Sequence, residues 1–205
     1  MHRLHAIVDV DVATAAGWSL ADLARAFLDG GAPLVQIRAK RLPSDRFLQL
    51  CDLVVERARP YGATVIVNDR ADLARLSGAT GVHVGQEDLA PADARAIVGE
   101  SSVIGYSTHT IAQVDQAARE PVDYIAVGPV FGTRTKATGY DAVGLDLVAA
   151  AVRRAHGRPL VAIGGITLET APSVIAAGAA GVAVISDLLA DGNPSGRVAA
   201  YLRRL

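Results

Sequence analysis

The sequence predicts an α/β fold in which eight strand–helix units close into a single-domain (β/α)8 TIM barrel over residues 1–205. Three observations carry that prediction. Short apolar runs alternate with amphipathic stretches, the pattern of parallel strands joined by crossover helices. Eight units in 205 residues repeat about every 25 residues, near the small end for this barrel class. No Gly-x-Gly-x-x-Gly follows the first run, which disfavours an open doubly wound sheet.

In chain order, residues 4–8 form the first apolar run, and Leu20, Leu23, Ala24, Phe27 and Leu28 follow at the three-and-four spacing of a helix stripe. Residues 34–37 are the second run, and Phe47, Leu50, Cys51, Val54 and Val55 the second stripe. Runs at 64–67, 81–84 and 102–105 each stop at polar or glycine residues, and 124–127 stops at Gly128-Pro129. Val148, Ala151, Val152 and Ala155 form another stripe; the run at 160–163 ends at Gly164-Gly165, and 182–185 is led in by Ala180-Gly181. A last helical region, 187–203, is broken by Asp-Gly-Asn-Pro-Ser at 191–195.

Composition limits the function. The chain is 51% hydrophobic and 20% charged, a well-cored globular balance. Net charge is −1, so no global basic field exists for nucleic acid, and any anion site must be local. Cys51 is the only cysteine, which excludes an internal disulfide and agrees with a cytoplasmic setting. Asp9 and Asp11 interrupt the first twenty residues, against a signal peptide. The uncharged stretch 170–186 is rich in Ala and Gly and contains Pro172, so it reads as helix and strand rather than a membrane span of ~20 apolar residues. The expected partners are small phosphorylated molecules, with neither nucleic acid nor membrane; a homo-oligomer is compatible.

In this barrel class the active site lies at the C-terminal ends of the strands. Gln36, Arg38 and Lys40 alternate past the second run, three donors on one side of an extended backbone and suited to a phosphate chain. Asn68-Asp69-Arg70 follows the third run, and His83-Val84-Gly85-Gln86-Glu87-Asp88 spans the end of the fourth. Asp69 and Asp88 each precede a helix, so N-capping competes with a shared role as hard oxygen ligands for Mg2+. His83 reads as a packed barrel residue. Ser107 follows the fifth run as a hydroxyl donor, Thr110 is suited to capping the next helix, and His109 reads as a structural loop histidine with a proton carrier as the alternative. After the sixth run, Thr133, Arg134, Thr135 and Lys136 form a donor-rich turn without a carboxylate. Gly164 and Gly165 allow close backbone approach to a ligand; with Ile185-Ser186 they mark a second anion site, where N–H groups opening the following helix would face the anion. Two anion sites result, one cationic and one built from backbone and hydroxyls. No Ser–His–Asp trio or nucleophilic cysteine is indicated.

These motifs, in order along the chain, resemble the thiamine phosphate synthase family: Gln36-Ile37-Arg38-Ala39-Lys40, Asn68-Asp69-Arg70, Gly81 to Leu89, Ser107 to Thr110, Gly128 to Lys136, Ile163 to Ile166 and Val184-Ile185-Ser186. The family joins 4-amino-2-methyl-5-hydroxymethylpyrimidine diphosphate to thiazole phosphate, giving thiamine monophosphate and pyrophosphate. The resemblance implies that Gln36, Arg38, Lys40 and Asn68 hold the pyrimidine diphosphate and that Asp69 and Asp88 bind Mg2+. It implies that Ser107 and Lys136 contact the pyrophosphate, and that Thr133, Thr135, Gly165, Ile185 and Ser186, with Gly164 beside them, hold the thiazole phosphate. Lys136, Arg38, Lys40 and Ser107 are then the catalytic candidates. The first strand end, Val8-Asp9-Val10-Asp11, departs from the Thr-Asp pair more common in the family. Two alternatives stand beside the synthase: a thiazole tautomerase on the same barrel, and a non-catalytic sensor of a phosphorylated metabolite.

Overall fold

Residues 2–132 and 142–205 are described by the computed structural model. Its eight strands are β1 Leu4–Asp9, β2 Leu34–Arg38, β3 Thr64–Asn68, β4 Gly81–Val84, β5 Val103–Thr108, β6 Tyr124–Val127, β7 Leu160–Ile163 and β8 Gly181–Val184. Each pairs in parallel with the next, and β8 closes on β1 to complete a barrel ringed by helices.

β1, β2 and β3 each run one residue past the expected end, to Asp9, Arg38 and Asn68, and β5 and β8 depart further. β5 starts one residue late, because Ser102 N closes a turn on Gly99 O. It then runs three residues further, with Ser107 in register with Ala126 and Thr108 with Val127. Ser107 is therefore a strand residue and not a loop residue. β8 begins at Gly181, in register with Val161, and leaves Ile185 at the turn into a short 3-10 helix, Ser186–Leu189. The helix Pro194–Arg204 follows, opened by Asn193, whose side chain accepts from Gly196 N at 3.0 Å.

Register divides every strand into two faces. Val8, Ile37, Val67, Val84, Ile125 and Val182 point outward and pack under the helices. The helix Leu20–Asp29 buries Leu23, Ala24, Phe27 and Leu28, and Ser44–Ala58 buries Phe47, Leu50, Cys51, Val54 and Val55, the stripes expected from spacing. Each large side chain so covered contributes roughly 1.5–3 kcal/mol. The inner face has a smaller apolar set, Ile7, Tyr124, Ala126, Val161 and Ala183. It also holds the buried polar residues His5, Asp9, Gln36, Asn68, His83 and Ser107.

Tyr124 fills the interior below this polar set. Gly105 makes room for it: a Cβ there would lie 2.1 Å from Tyr124 Cζ and 2.4 Å from His83 Nδ1. The His5 ring stands edge-on to Tyr124 at 5.2 Å, and burial drives its pKa down to about 3, so that ring is neutral. Gly105→Ala forces a wholly buried phenol aside. It is expected to destabilise the protein by about 3 kcal/mol, read as a lower midpoint in urea unfolding.

Candidate active site

The C-terminal mouth of the barrel opens into two adjoining cavities. The first, about 550 Å³, is lined by Gln36, Arg38, Lys40, Asn68, Asp69, His83, Gln86, Glu87, Asp88 and Ser107 among others. The second, about 570 Å³, is lined by Gly164, Gly165, Ile166, Thr167, Ile185, Ser186 and Asp187 among others. Ser107, His109, Ile163 and Ile185 line both. Thr133, Thr135 and Lys136 lie outside the described residues.

In the first cavity, Gln36 and Arg38 share the inner face of β2. Asp9 stands opposite Arg38 in register and forms an ion pair with its guanidinium. The second carboxylate oxygen of Asp9 accepts from Val12 N at 3.1 Å, capping the helix Val10–Ala15. One buried carboxylate thus fixes both a helix start and the direction of Arg38. Lys40, in the loop beyond β2, reaches Asp69 at 2.9 Å.

Neither Asp69 nor Asp88 caps the helix that follows it. Asp69 takes a left-handed conformation, φ +67°, and its N–H donates to His83 O at 2.7 Å; the helix Ala71–Ser77 starts from Arg70 without a side-chain cap. Asp88 turns back to accept from Gly85 N at 2.7 Å, and the helix Pro91–Val98 starts from Ala90. Both carboxylates are left at the cavity wall. Burial raises the pKa of Asp69 above the ordinary carboxylate value; the Lys40 ammonium opposes the rise and the Asp88 carboxylate adds to it. Two like charges held this close repel unless a cation or a proton lies between them. Among the described residues no group of three or more metal-ligating side chains occurs. Two hard carboxylates fit Mg2+, which commonly takes one or two protein oxygens and completes its octahedron from water and substrate phosphate.

Behind this wall His83 is buried and bonded at both nitrogens, Nδ1 to Tyr124 OH and Nε2 to Ser107 Oγ, each at 2.8 Å. His83 is a packed barrel residue, as its sequence context indicated. Gln86 Nε2 donates to Ser107 O at 2.7 Å, tying the β4 loop to β5. His109 Nδ1 contacts Gly128 O at 2.6 Å, and Thr110 caps its helix through Gln113 N at 3.2 Å.

The second cavity is walled by backbone. Gly164 and Gly165 have φ +101° and +64°, and a Cβ on either would come within 2.6 Å of Pro129 Cα or Gly132 O. No helix opens directly after them, contrary to expectation: the helix Ala171–Ala176 begins six residues later, because the left-handed pair first turns the chain across the barrel mouth. After β8 only the 3-10 helix Ser186–Leu189 follows, so its N–H groups stand alone in the role assigned to helix starts. Among the described residues no lysine or arginine lines this cavity.

What holds these two loops is not evident from their own residues. Asp187 accepts from Leu168 N at 3.1 Å, from Arg197 Nη2 at 2.9 Å and from the Tyr201 hydroxyl. It thereby clamps the β7 loop, the β8 loop and the last helix together. The tie of Asp9 to Arg38 is equally silent in the local sequence, since the two lie twenty-nine residues apart and meet through strand register.

A family model described as thiamine monophosphate synthase matches residues 4–188. A thiamine-phosphate synthase of Koribacter versatilis is 44% identical, the match covering 99% of this chain and 95% of that protein. A second, from Mycolicibacterium smegmatis, is 44% identical across 85% of this chain and 81% of its own. The solved thiamine phosphate pyrophosphorylase of Pyrococcus furiosus superposes with a TM-score of 0.88 at 28% identity, covering 98% of this chain and 94% of that one. A 3-hexulose-6-phosphate synthase, with a TM-score of 0.71 at 17% identity, shares the fold alone.

Asp187→Ala leaves Arg197 half-desolvated and unclamps both loops. The expected cost is about 3 kcal/mol, measured by urea unfolding, with faster amide exchange at residues 164–170 than at β1–β3.

Proposed function

The chain belongs to the thiamine monophosphate synthase family and is a transferase of thiamine biosynthesis; from that premise we propose that its two cavities receive the two substrates. The polar cavity takes 4-amino-2-methyl-5-hydroxymethylpyrimidine diphosphate on Gln36, Arg38, Lys40 and Asn68. Asp69 and Asp88 hold Mg2+ there, and Ser107 and Lys136 face the departing pyrophosphate. Gly164, Gly165, Ile185 and Ser186, with Thr133 and Thr135, hold the thiazole phosphate. The observation that carries this is the shared wall: a carboxylate-and-cation cavity and a glycine-lined one meet at Ser107, His109, Ile163 and Ile185.

The products are thiamine monophosphate and pyrophosphate. The pyrimidine C–O bond breaks with its electron pair leaving on pyrophosphate, and the thiazole nitrogen lone pair forms the new C–N bond. Bound Mg2+ supplies neutralisation of the leaving charge. Arg38, aimed by Asp9, and the Ser107 hydroxyl bind the same charge. Lys40 stands beside Asp69 where a cation would go, so with metal there its ammonium is available to the diphosphate. The shared wall holds the two rings against one another, which suffices where no protein nucleophile takes part. The lone cysteine, Cys51, supports that absence: burial pushes its thiol up to about 12.

No described helix is long and apolar enough to cross a membrane, and a cytoplasmic setting follows from the proposed substrates. Purified protein with both substrates and Mg2+ is expected to yield thiamine monophosphate and pyrophosphate, and EDTA to stop it. Tautomerase turnover without product would overturn the assignment. Asp88→Asn is expected to lower kcat/KM by about 100-fold with an unchanged melting curve, followed by pyrophosphate release.

A further inference from the structure

The polar cavity rests on a buried hydrogen-bond chain to which the proposed chemistry gives no role. Tyr124 is 1% exposed, and burial raises its phenol pKa, so it keeps its proton. That O–H must donate, because a buried donor without an acceptor costs more than a typical hydrogen bond contributes. Among the described residues its hydrogen-bond partner is His83 Nδ1, at 2.8 Å. The other ring against it is His5, whose Nε2 makes no hydrogen bond. If His83 Nδ1 carried a proton and donated to the phenol, the phenol proton would point at nothing.

We infer that Tyr124 is a positioning residue, which sets the tautomer of His83 and so directs the Ser107 hydroxyl proton toward the substrate. With Nδ1 accepting, the neutral His83 ring has its one N–H on Nε2. That N–H donates to Ser107 Oγ at 2.8 Å. Ser107 Oγ has one proton, and its lone pair toward His83 is occupied. The proton is thus left to point into the cavities that Ser107 lines. In the opposite tautomer Ser107 would donate backward to His83 and offer the ligand only lone pairs, which repel phosphate oxygens. Gly105 belongs to the same device, because a Cβ there would occupy the space through which the phenol reaches His83.

This inference rests on the proposed placing of pyrophosphate against Ser107, and the test separates the two. Ring 15N NMR of the parent, with the His83 signal assigned by its loss in His83→Phe, is expected to show a protonated Nε2 and a bare Nδ1. Tyr124→Phe is expected to weaken binding of inorganic pyrophosphate with Mg2+ about tenfold, and to lower kcat by a similar factor more than it raises KM. In a Ser107→Ala background Tyr124→Phe should cost nothing further, because its effect runs through the missing hydroxyl. A proton on Nδ1, or losses that multiply in the double variant, would overturn the inference. Should Tyr124→Phe fail to fold, the tautomer in the parent decides alone. A parent that forms no thiamine monophosphate overturns the proposed function instead, while the tautomer and pyrophosphate measurements still decide this point.

Discussion

A polar side chain can enter the interior of a closed parallel barrel only if something there bonds to it. The inner face of this one is narrow, and Tyr124 occupies much of its floor. Above the floor the polar residues come in partnered groups: Asp9 with Arg38, His83 with Tyr124 and Ser107, Gln86 with the Ser107 carbonyl. Partnering satisfies each group in a low-dielectric setting and also fixes its direction. The rigidity of the mouth therefore comes from what the interior needs in order to fold, and the groups available to ligand are those on the last level of each ladder.

The two cavities differ in kind because the two sides of the barrel solve this problem differently. From β1 to β5 the strand ends carry side chains, and cations pair with carboxylates on neighbouring strands. From β6 to β8 the strand ends carry Gly128, Gly164 and Ile185, and the wall is backbone turned by left-handed glycines. A backbone wall has no side-chain ladder to stiffen it, and Asp187 takes over that task from outside through Arg197 and Tyr201. A substrate carrying two phosphates in series suits the first wall, and a single phosphate suits the second.

The strands were legible because each is a short, continuous apolar run, and the helices because their stripes keep a three-and-four spacing. The error at β5 has a clear origin: Tyr106, Ser107 and Thr108 look like a loop by composition, yet Ser107 is admitted to the strand by its bond to His83, and Thr108 donates to Ala126 O at 2.8 Å. The strand-end rule located Gln36, Arg38, Lys40, Asn68, Asp69, Asp88 and Ser107 at one cavity. It could not decide whether Asp69 and Asp88 were caps, since local sequence favours capping equally. The answer lay in a left-handed φ at one and a backward turn at the other. The roles of Asp9 and Tyr124 stayed invisible because their partners are remote in the chain and meet them through barrel register, and that of Asp187 because it depends on how the last helix packs back onto the β7 and β8 loops.

The ion pair between Lys40 and Asp69 bears on the order in which ligands arrive. Among the described residues lining the polar cavity, the carboxylates Asp11, Asp69, Glu87 and Asp88 outnumber the cations Arg38 and Lys40. A bare diphosphate approaching that wall meets net repulsion, and a bare metal ion must first displace an ammonium already bonded at 2.9 Å. A diphosphate that brings its own divalent ion avoids both penalties at once. A metal held at Asp69 would take the place of Lys40, whose ammonium would then be available to the anion. On the proposed reading, substrate and metal would enter as one species, by exchanging partners at Asp69.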